Sequence, residues 1–244
     1  MRVLQIISVL LLLLTSTLKL SIIDIPLDDN IIHYFFNASI ILTGFSVMFP
    51  IVSYFRIKKL KIERDGHLTL ILNEMVSEQN TEVFISRQLN NVVTLFKNKQ
   101  QIIICGKPIL ELLDNSQVKF LLAHEYFHIK KNHLIKNILS FTFAISGVPI
   151  LLLIISPFLI SRISILWVLI IAFIVYISCF IFHFIFSQRR EFAADKYASF
   201  IVDSEVAKNT LSILKKHALV PEKSYNIFET HPSLNKRIEK VASK

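Results

Sequence analysis

Ala123-His124-Glu125-Tyr126-Phe127-His128 is the stretch on which the reading of this chain turns. On a helix, His124 and His128 are four residues apart, so both imidazoles leave the same face one turn from each other. Two neutral ring nitrogens at that spacing can reach one Zn²⁺ at about 2.0–2.1 Å. Glu125 is turned by about a hundred degrees from His124 at 3.6 residues per turn. It can reach an attacking water without ligating the metal, which suits a general base. Upstream, Asp114-Asn115-Ser116 offers N-cap residues for this helix, and Val118, Leu121 and Leu122 give it an apolar side. Downstream, the helix is expected to continue through Lys130, Lys131 and His133 towards Lys136, a basic end that complements the helix dipole.

Around the motif, residues 56–137 read as a water-facing segment. Leu68 to Leu72, Glu82 to Ser86, Val92 to Phe96 and Ile102 to Cys105 are short β-prone runs. Asp65-Gly66-His67 and Lys97-Asn98-Lys99 suit turns, and Pro108 fits the first turn of a helix running to Leu113. The expected fold is mainly α with a small β-sheet, an α+β arrangement.

The flanks are different in character. Of the 244 residues, 53% are hydrophobic and only 18% charged, an excess of apolar residues that points to membrane spans. Four runs are expected to be transmembrane helices: Val3 to Ile23, which is nearly all apolar, and the uncharged runs Ile31 to Phe55, Ile138 to Ile160 and Ile163 to Phe186. The first also fits a signal peptide, although no small-x-small cleavage site follows it. The net charge of +9 comes from bases clustered where these runs end: Arg56 to Arg64, Lys130 to Lys136, Arg189 and Arg190. The connection over 24–30 carries Asp24, Asp28 and Asp29, and the connection between the last two runs carries Arg162 alone. Basic residues hold to the cytoplasmic side, so the motif is expected to face the cytoplasm of a multi-pass inner-membrane protein. The charge is therefore read as a topology signal and nucleic acid is not expected as a partner. Cys105 and Cys179 form no disulfide framework and no thiolate metal motif.

A zinc site needs a third protein ligand. Glu191-Phe192-Ala193-Ala194-Asp195 begins just after the last apolar run, and Glu191 and Asp195 share a helix face at i,i+4. Glu191 would complete a His₂Glu site with one position left open, and Asp195 would orient a ligand histidine through its other nitrogen. Four parts follow: membrane helices over 1–55, a first catalytic part over 56–137, a membrane hairpin over 138–186 and a second catalytic part over 187–244. His183 reads as a packed or interfacial histidine.

Three stretches together resemble the HtpX-like family of membrane zinc metallopeptidases, related to the CAAX prenyl proteases: Leu122 to Ile129 with Asn132-His133, Glu191 to Asp195, and His231-Pro232-Ser233-Leu234-Asn235-Lys236-Arg237-Ile238. The resemblance implies a zincin-like domain of the gluzincin kind, with one Zn²⁺ per chain held by His124, His128 and Glu191, Glu125 as base, and His231 and Arg237 as transition-state helpers. It implies endoproteolysis of membrane or cytoplasmic proteins, often in quality control. The family's substrate-strand motif usually reads Asn-Ala-Phe, whereas Asn90-Asn91-Val92-Val93-Thr94-Leu95 stands here. A strand from Asn90 to Phe96, with Asn90 and Thr94 on it, is expected to take substrate as an added strand. The alternatives are a maturation or signalling protease with one narrow substrate, and an inactive membrane scaffold.

Overall fold

The structure is a computed structural model that describes residues 10–12, 14–18, 28–40, 43–44, 60–76, 81–97, 100–144, 162, 164–217 and 231–242. The chain divides into two compact units, one made of Met1–Lys58 with Leu139–His183 and the other of Lys59–Ile138 with Phe184–Lys244.

The second unit holds a mixed four-stranded sheet. Its strands are β1 (Glu63–Arg64), β2 (Val83–Ser86), β3 (Val92–Lys97) and β4 (Gln100–Gly106), in the spatial order β1-β2-β4-β3. β2 runs parallel to β4, and the other two pairs are antiparallel. β3 is an edge strand, with Thr94 opposite Ile103 on β4. Beyond helical residues at 10–12, 14–18, 29–40 and 43–44, the helices in chain order are α1 (Gly66–Val76), α2 (Lys107–Leu110), α3 (Asn115–Lys130), α4 (His133–Thr142), α5 (Ile165–Val202), α6 (Ser204–Lys216) and α7 (Leu234–Ala242).

Three expected elements are corrected. Leu68 to Leu72 is not a strand but the middle of α1. Leu68, Ile71, Leu72 and Met75 repeat at helical spacing and pack into one core, and the Asp65 carboxylate accepts the Leu68 N–H at 2.8 Å, as an N-cap does. The five β-prone letters were too short a window to show that period. The helix after Pro108 ends at Leu110 rather than Leu113. The motif helix stops at Lys130 and restarts at His133, because Asn132 takes a left-handed backbone with φ 52°.

α3 starts where its sequence indicates. Asp114 accepts the Gln117 N–H at 2.9 Å while the Gln117 side chain accepts the Asp114 N–H at 3.1 Å, a reciprocal capping box. The helix is apolar on two sides. Val118, Leu122 and Tyr126 pack with Leu72, Val83 and Ile103 of α1 and the sheet. Phe120, Leu121 and Ala123 pack with Ala198 of α5, Leu211 and Leu214 of α6, and Leu234 and Val241 of α7. A helix clamped from both sides has little freedom to roll, and its remaining face carries the histidines.

In the first unit, the buried hydroxyls of Thr15 and Ser39 lie 2.9 Å apart. His183 is buried, with its Nδ1 2.8 Å from the Ser140 hydroxyl and its ring against Phe141, a packed histidine as its sequence context suggests. Among the described residues, no helix is long and apolar enough to cross a membrane. The expected spans over 3–23, 31–55 and 138–160 lie in large part outside the described residues, as does the turn at 98–99.

Gly106 closes β4 where the chain passes close to the 87–91 loop. Its N–H donates to the Asn91 carbonyl at 2.9 Å, and a Cβ there would sit 2.1 Å from the Leu89 carbonyl oxygen. Backbone cannot yield as a side-chain tip can, so Gly106→Ala is expected to destabilise the fold by ~1–3 kcal/mol, the usual range for overpacking. A denaturant midpoint equal to wild type would show that this approach is soft.

Candidate active site

His124 and His128 project from the free face of α3 with their Nε2 atoms 3.1 Å apart. Glu191, on α5, reaches the same point: its Oε2 is 3.6 Å from His124 Nε2 and its Oε1 is 3.4 Å from His128 Nε2. Two ligands about 2.0–2.1 Å from one ion at a tetrahedral angle lie roughly 3.3–3.4 Å apart. The observed separations, with the two histidines facing different oxygens of Glu191, are close to that spacing, and one ligand atom from each residue lies within 4.8 Å of the others. Two nitrogens and one carboxylate are also the donor types that zinc takes in catalytic sites.

Behind the donors stands a second layer. His124 Nδ1 lies 2.9 Å from Asp195 Oδ1, which directs Nε2, not Nδ1, to the metal position. Asp195 is itself gripped by Arg237, whose Nε and terminal nitrogen donate to its two carboxylate oxygens at 2.7 and 2.6 Å. Glu191 and Asp195 are four residues apart inside the long helix α5, so one face delivers both. They are buried mid-helix, not solvated at a helix start.

The charges follow from this packing. Burial works to raise the Glu191 carboxyl, but His231 and His124 outweigh it and hold the group well below the usual carboxylate range. Burial likewise opposes ionisation of Asp195, and Arg237 overcomes it, bringing the group down to about 2. Burial disfavours the His124 cation, yet Asp195 and Glu191 push its pKa up to about 9. His128 goes the other way, to about 3, through burial and the neighbouring His124. His128 is thus neutral and ready to give a lone pair.

Glu125 points to the sheet side, where the Thr94 hydroxyl on β3 donates to its Oε2 at 2.7 Å. Burial raises its pKa, with His124 and Thr94 pulling the other way. His231 sits just before α7 with its side chain 61% exposed and its Nδ1 3.0 Å from Glu191 Oε2. Arg237 reaches Glu191 at 3.9 Å but spends its strong bonds on Asp195.

Of the residues singled out in the sequence, eight converge here: His124, Glu125, His128, Glu191, Asp195, His231, Arg237 and Thr94. Asn90 sits at the exposed bend before β3, and none of these contacts involves it. His133, read from the sequence only as part of a basic helix end and of the family resemblance, is drawn in. Its Nδ1 lies 2.8 Å from His128 Nδ1. Burial, then Arg190 and Lys136, bring its pKa down to about 4.

The family model of peptidase family M48 matches residues 64–244, a range that contains this whole cluster. The chain belongs to peptidase family M48. This M48 peptidase is thereby a metallopeptidase of a family that depends on zinc in general, in agreement with the resemblance to HtpX-like enzymes. Among solved structures, the crystal structure of S. mikatae Ste24p is similar with a TM-score of 0.52 at 16% identity, covering 93% of this chain and 61% of that one. At that identity the likeness speaks to fold alone, and this chain spans 61% of the length of that protein. No curated protein matches.

Glu191→Ala is expected to abolish zinc retention through dialysis, since two histidines alone hold the ion poorly. Asp195→Ala is expected to weaken zinc by ~10–100-fold in chelator competition, as for other groups that orient a ligand. Normal zinc content in the Glu191 variant would remove it from the ligand set.

Proposed function

We propose that this chain is a membrane-embedded zinc endopeptidase that cleaves membrane or cytoplasmic proteins in protein quality control. The observation that carries the enzymatic part is the convergence of His124, His128 and Glu191 on one point with Glu125 beside it. A Zn²⁺ bound there would polarise the scissile carbonyl and acidify the attacking water. Glu125 takes the proton from that water at a carboxylate oxygen and passes it to the leaving amine. Burial raises its pKa, the direction that helps a base hand its proton on as an acid. The tetrahedral oxyanion is met by His231, whose pKa is raised mainly by Glu191 and whose ring is open to an entering substrate. Arg237 contributes positive charge from behind Glu191, and its main contact is with Asp195.

Substrate is proposed to extend along β3. An edge strand has free backbone N–H and C=O groups that a peptide can pair with. β3 is an edge of the sheet, and Thr94 on it touches the base, so an added strand would run past Glu125. Backbone pairing tolerates many side chains, which fits an enzyme that handles varied damaged chains. Asn90 would meet the substrate at the entrance of the strand.

The bilayer reading is supported by surface chemistry. From Ile165 to Phe186, α5 carries no Asp, Glu, Lys or Arg, and it exposes Trp167, Phe173, Ile174, Phe182 and Phe186. An exposed apolar surface of that kind seeks something other than water. The chain is read as membrane helices over 1–55, a catalytic part over 56–137, a membrane hairpin over 138–186 and a second catalytic part over 187–244. Arg56 to Arg64, Lys130 to Lys136, Arg189 and Arg190 mark the cytoplasmic ends.

The catalytic reading is tested by Glu125→Gln, which keeps shape and zinc but lacks the proton acceptor. Cleavage of a casein-type substrate is expected to fall at least ~10²-fold, and wild-type turnover in that variant would sink the mechanism. Topology is tested separately. With Cys105 and Cys179 replaced, Asn115→Cys is expected to react with an impermeant thiol reagent only after the cells are opened. Labelling of intact cells would put the site outside.

A further inference from the structure

We propose that His133 is the positioning residue for the metal ligand His128: its Nδ1 accepts the His128 Nδ1–H and so leaves the His128 Nε2 lone pair aimed at the metal. The proposal rests on the zinc site read above.

The contact of 2.8 Å between the two Nδ1 atoms has only one sense that is compatible with metal binding. Were His133 the donor, His128 would accept at Nδ1 and carry its own proton on Nε2, where a metal cannot bind. With His128 as donor, the Nε2 atom that faces His124 and Glu191 is the bare one. His133 then does for His128 what Asp195 does for His124. A neutral imidazole suffices as acceptor here, because its unprotonated nitrogen carries the lone pair that the bond needs.

The backbone is built to make this contact. Five residues along an uninterrupted helix, a side chain is turned by about 140° from its start, so His133 on a continued α3 would point away from His128. The chain instead breaks at Lys131 and Asn132, and Asn132 adopts φ 52°, a conformation that asparagine tolerates better than most residues. The corner is held at both ends: the Asn132 N–H donates to the Ile129 carbonyl at 2.9 Å, and its own carbonyl accepts the Lys136 N–H at 3.1 Å. The Gln101 side-chain amide on β4 donates to Asn132 Oδ1 at 3.3 Å and ties the corner to the sheet. α4 therefore opens with His133 buried, its ring edge-on to Phe127 and to His128.

Zinc affinity of the purified full chain, measured by chelator competition, tests the proposal without reference to turnover. His133→Leu is expected to bind zinc ~10–100-fold more weakly than wild type, the range for loss of an orienting partner. His133→Asn, whose carboxamide oxygen can stand where Nδ1 stood, is expected to recover affinity to within a few-fold. Equal affinity in the leucine variant, or equal loss in both variants, overturns the proposal. If the leucine variant does not fold, ¹⁵N-histidine spectra of the zinc-loaded wild type decide: a protonated Nδ1 on His128 with a bare Nδ1 on His133 supports it, and the reverse overturns it. Failure of the wild type itself to bind zinc would instead overturn the site reading beneath it.

Discussion

Everything in the catalytic unit depends on keeping two ionised carboxylates in a buried place. Glu191 and Asp195 are 6% and 1% exposed, and an unpaired buried charge costs several kcal/mol. Their partners come from three separate pieces of chain: His124 from α3, His231 from the segment before α7, and Arg237 from α7. α7 is short and can gain little from its own hydrogen bonds. It is held by Leu234 and Val241 in the core and by the two-bonded grip of Arg237 on Asp195. Charge pairing and core packing thus fasten the last helix to the same face that completes the metal site.

The charge balance explains why such a cluster can exist before and after an ion arrives. With no ion, Arg237 faces Asp195, while Glu191 is met by His231 and by His124, whose pKa is pushed up to about 9 by the two carboxylates. A dication held by His124, His128 and Glu191 would take the place of the His124 proton and bring one further positive charge. The added charge sits next to Glu125, the buried carboxyl whose pKa is raised by its burial. A positive ion at that place would favour the ionised form of Glu125, as a nearby opposite charge does for any carboxylate.

How much of this the sequence disclosed depends on how local each feature is. The two histidines and Glu125 were legible because i,i+4 spacing on a helix needs no tertiary information. Glu191 and Asp195 were legible by the same rule once the apolar run before them was set aside. The small sheet was legible in β2, β3 and β4, where β-branched runs are bounded by polar ones. α1 was not, since Leu68 to Leu72 alternates too briefly to separate a strand from a helix, and the Asp65 cap is visible only in three dimensions. Thr94 was assigned to substrate, and its bond to Glu125 depends on the register of β3 against β4 and on how α3 lies across the sheet. His133 was hidden for a sharper reason. Its place beside His128 requires one residue with positive φ, and helical periodicity places it on the wrong face.

The helix α5 shows why the site can be specified by chain segments so far apart. It is one continuous helix from Ile165 to Val202, uncharged to Ser187, then basic at Arg189 and Arg190, then carrying Glu191 and Asp195. A rigid helix fixes the azimuth of both acids relative to the basic pair, at 100° per residue. Arg190 takes part by bonding the Asn137 side chain of α4, and that same α4 begins with His133. The ligand on α5 and the histidine that orients His128 are thus joined by a bond between their own two helices. A shift of α5 along its axis would disturb Glu191 and His133 together. The arrangement of the candidate ligands is consequently a property of how α3, α4 and α5 are locked to one another, and not of the His-Glu-x-x-His stretch taken alone.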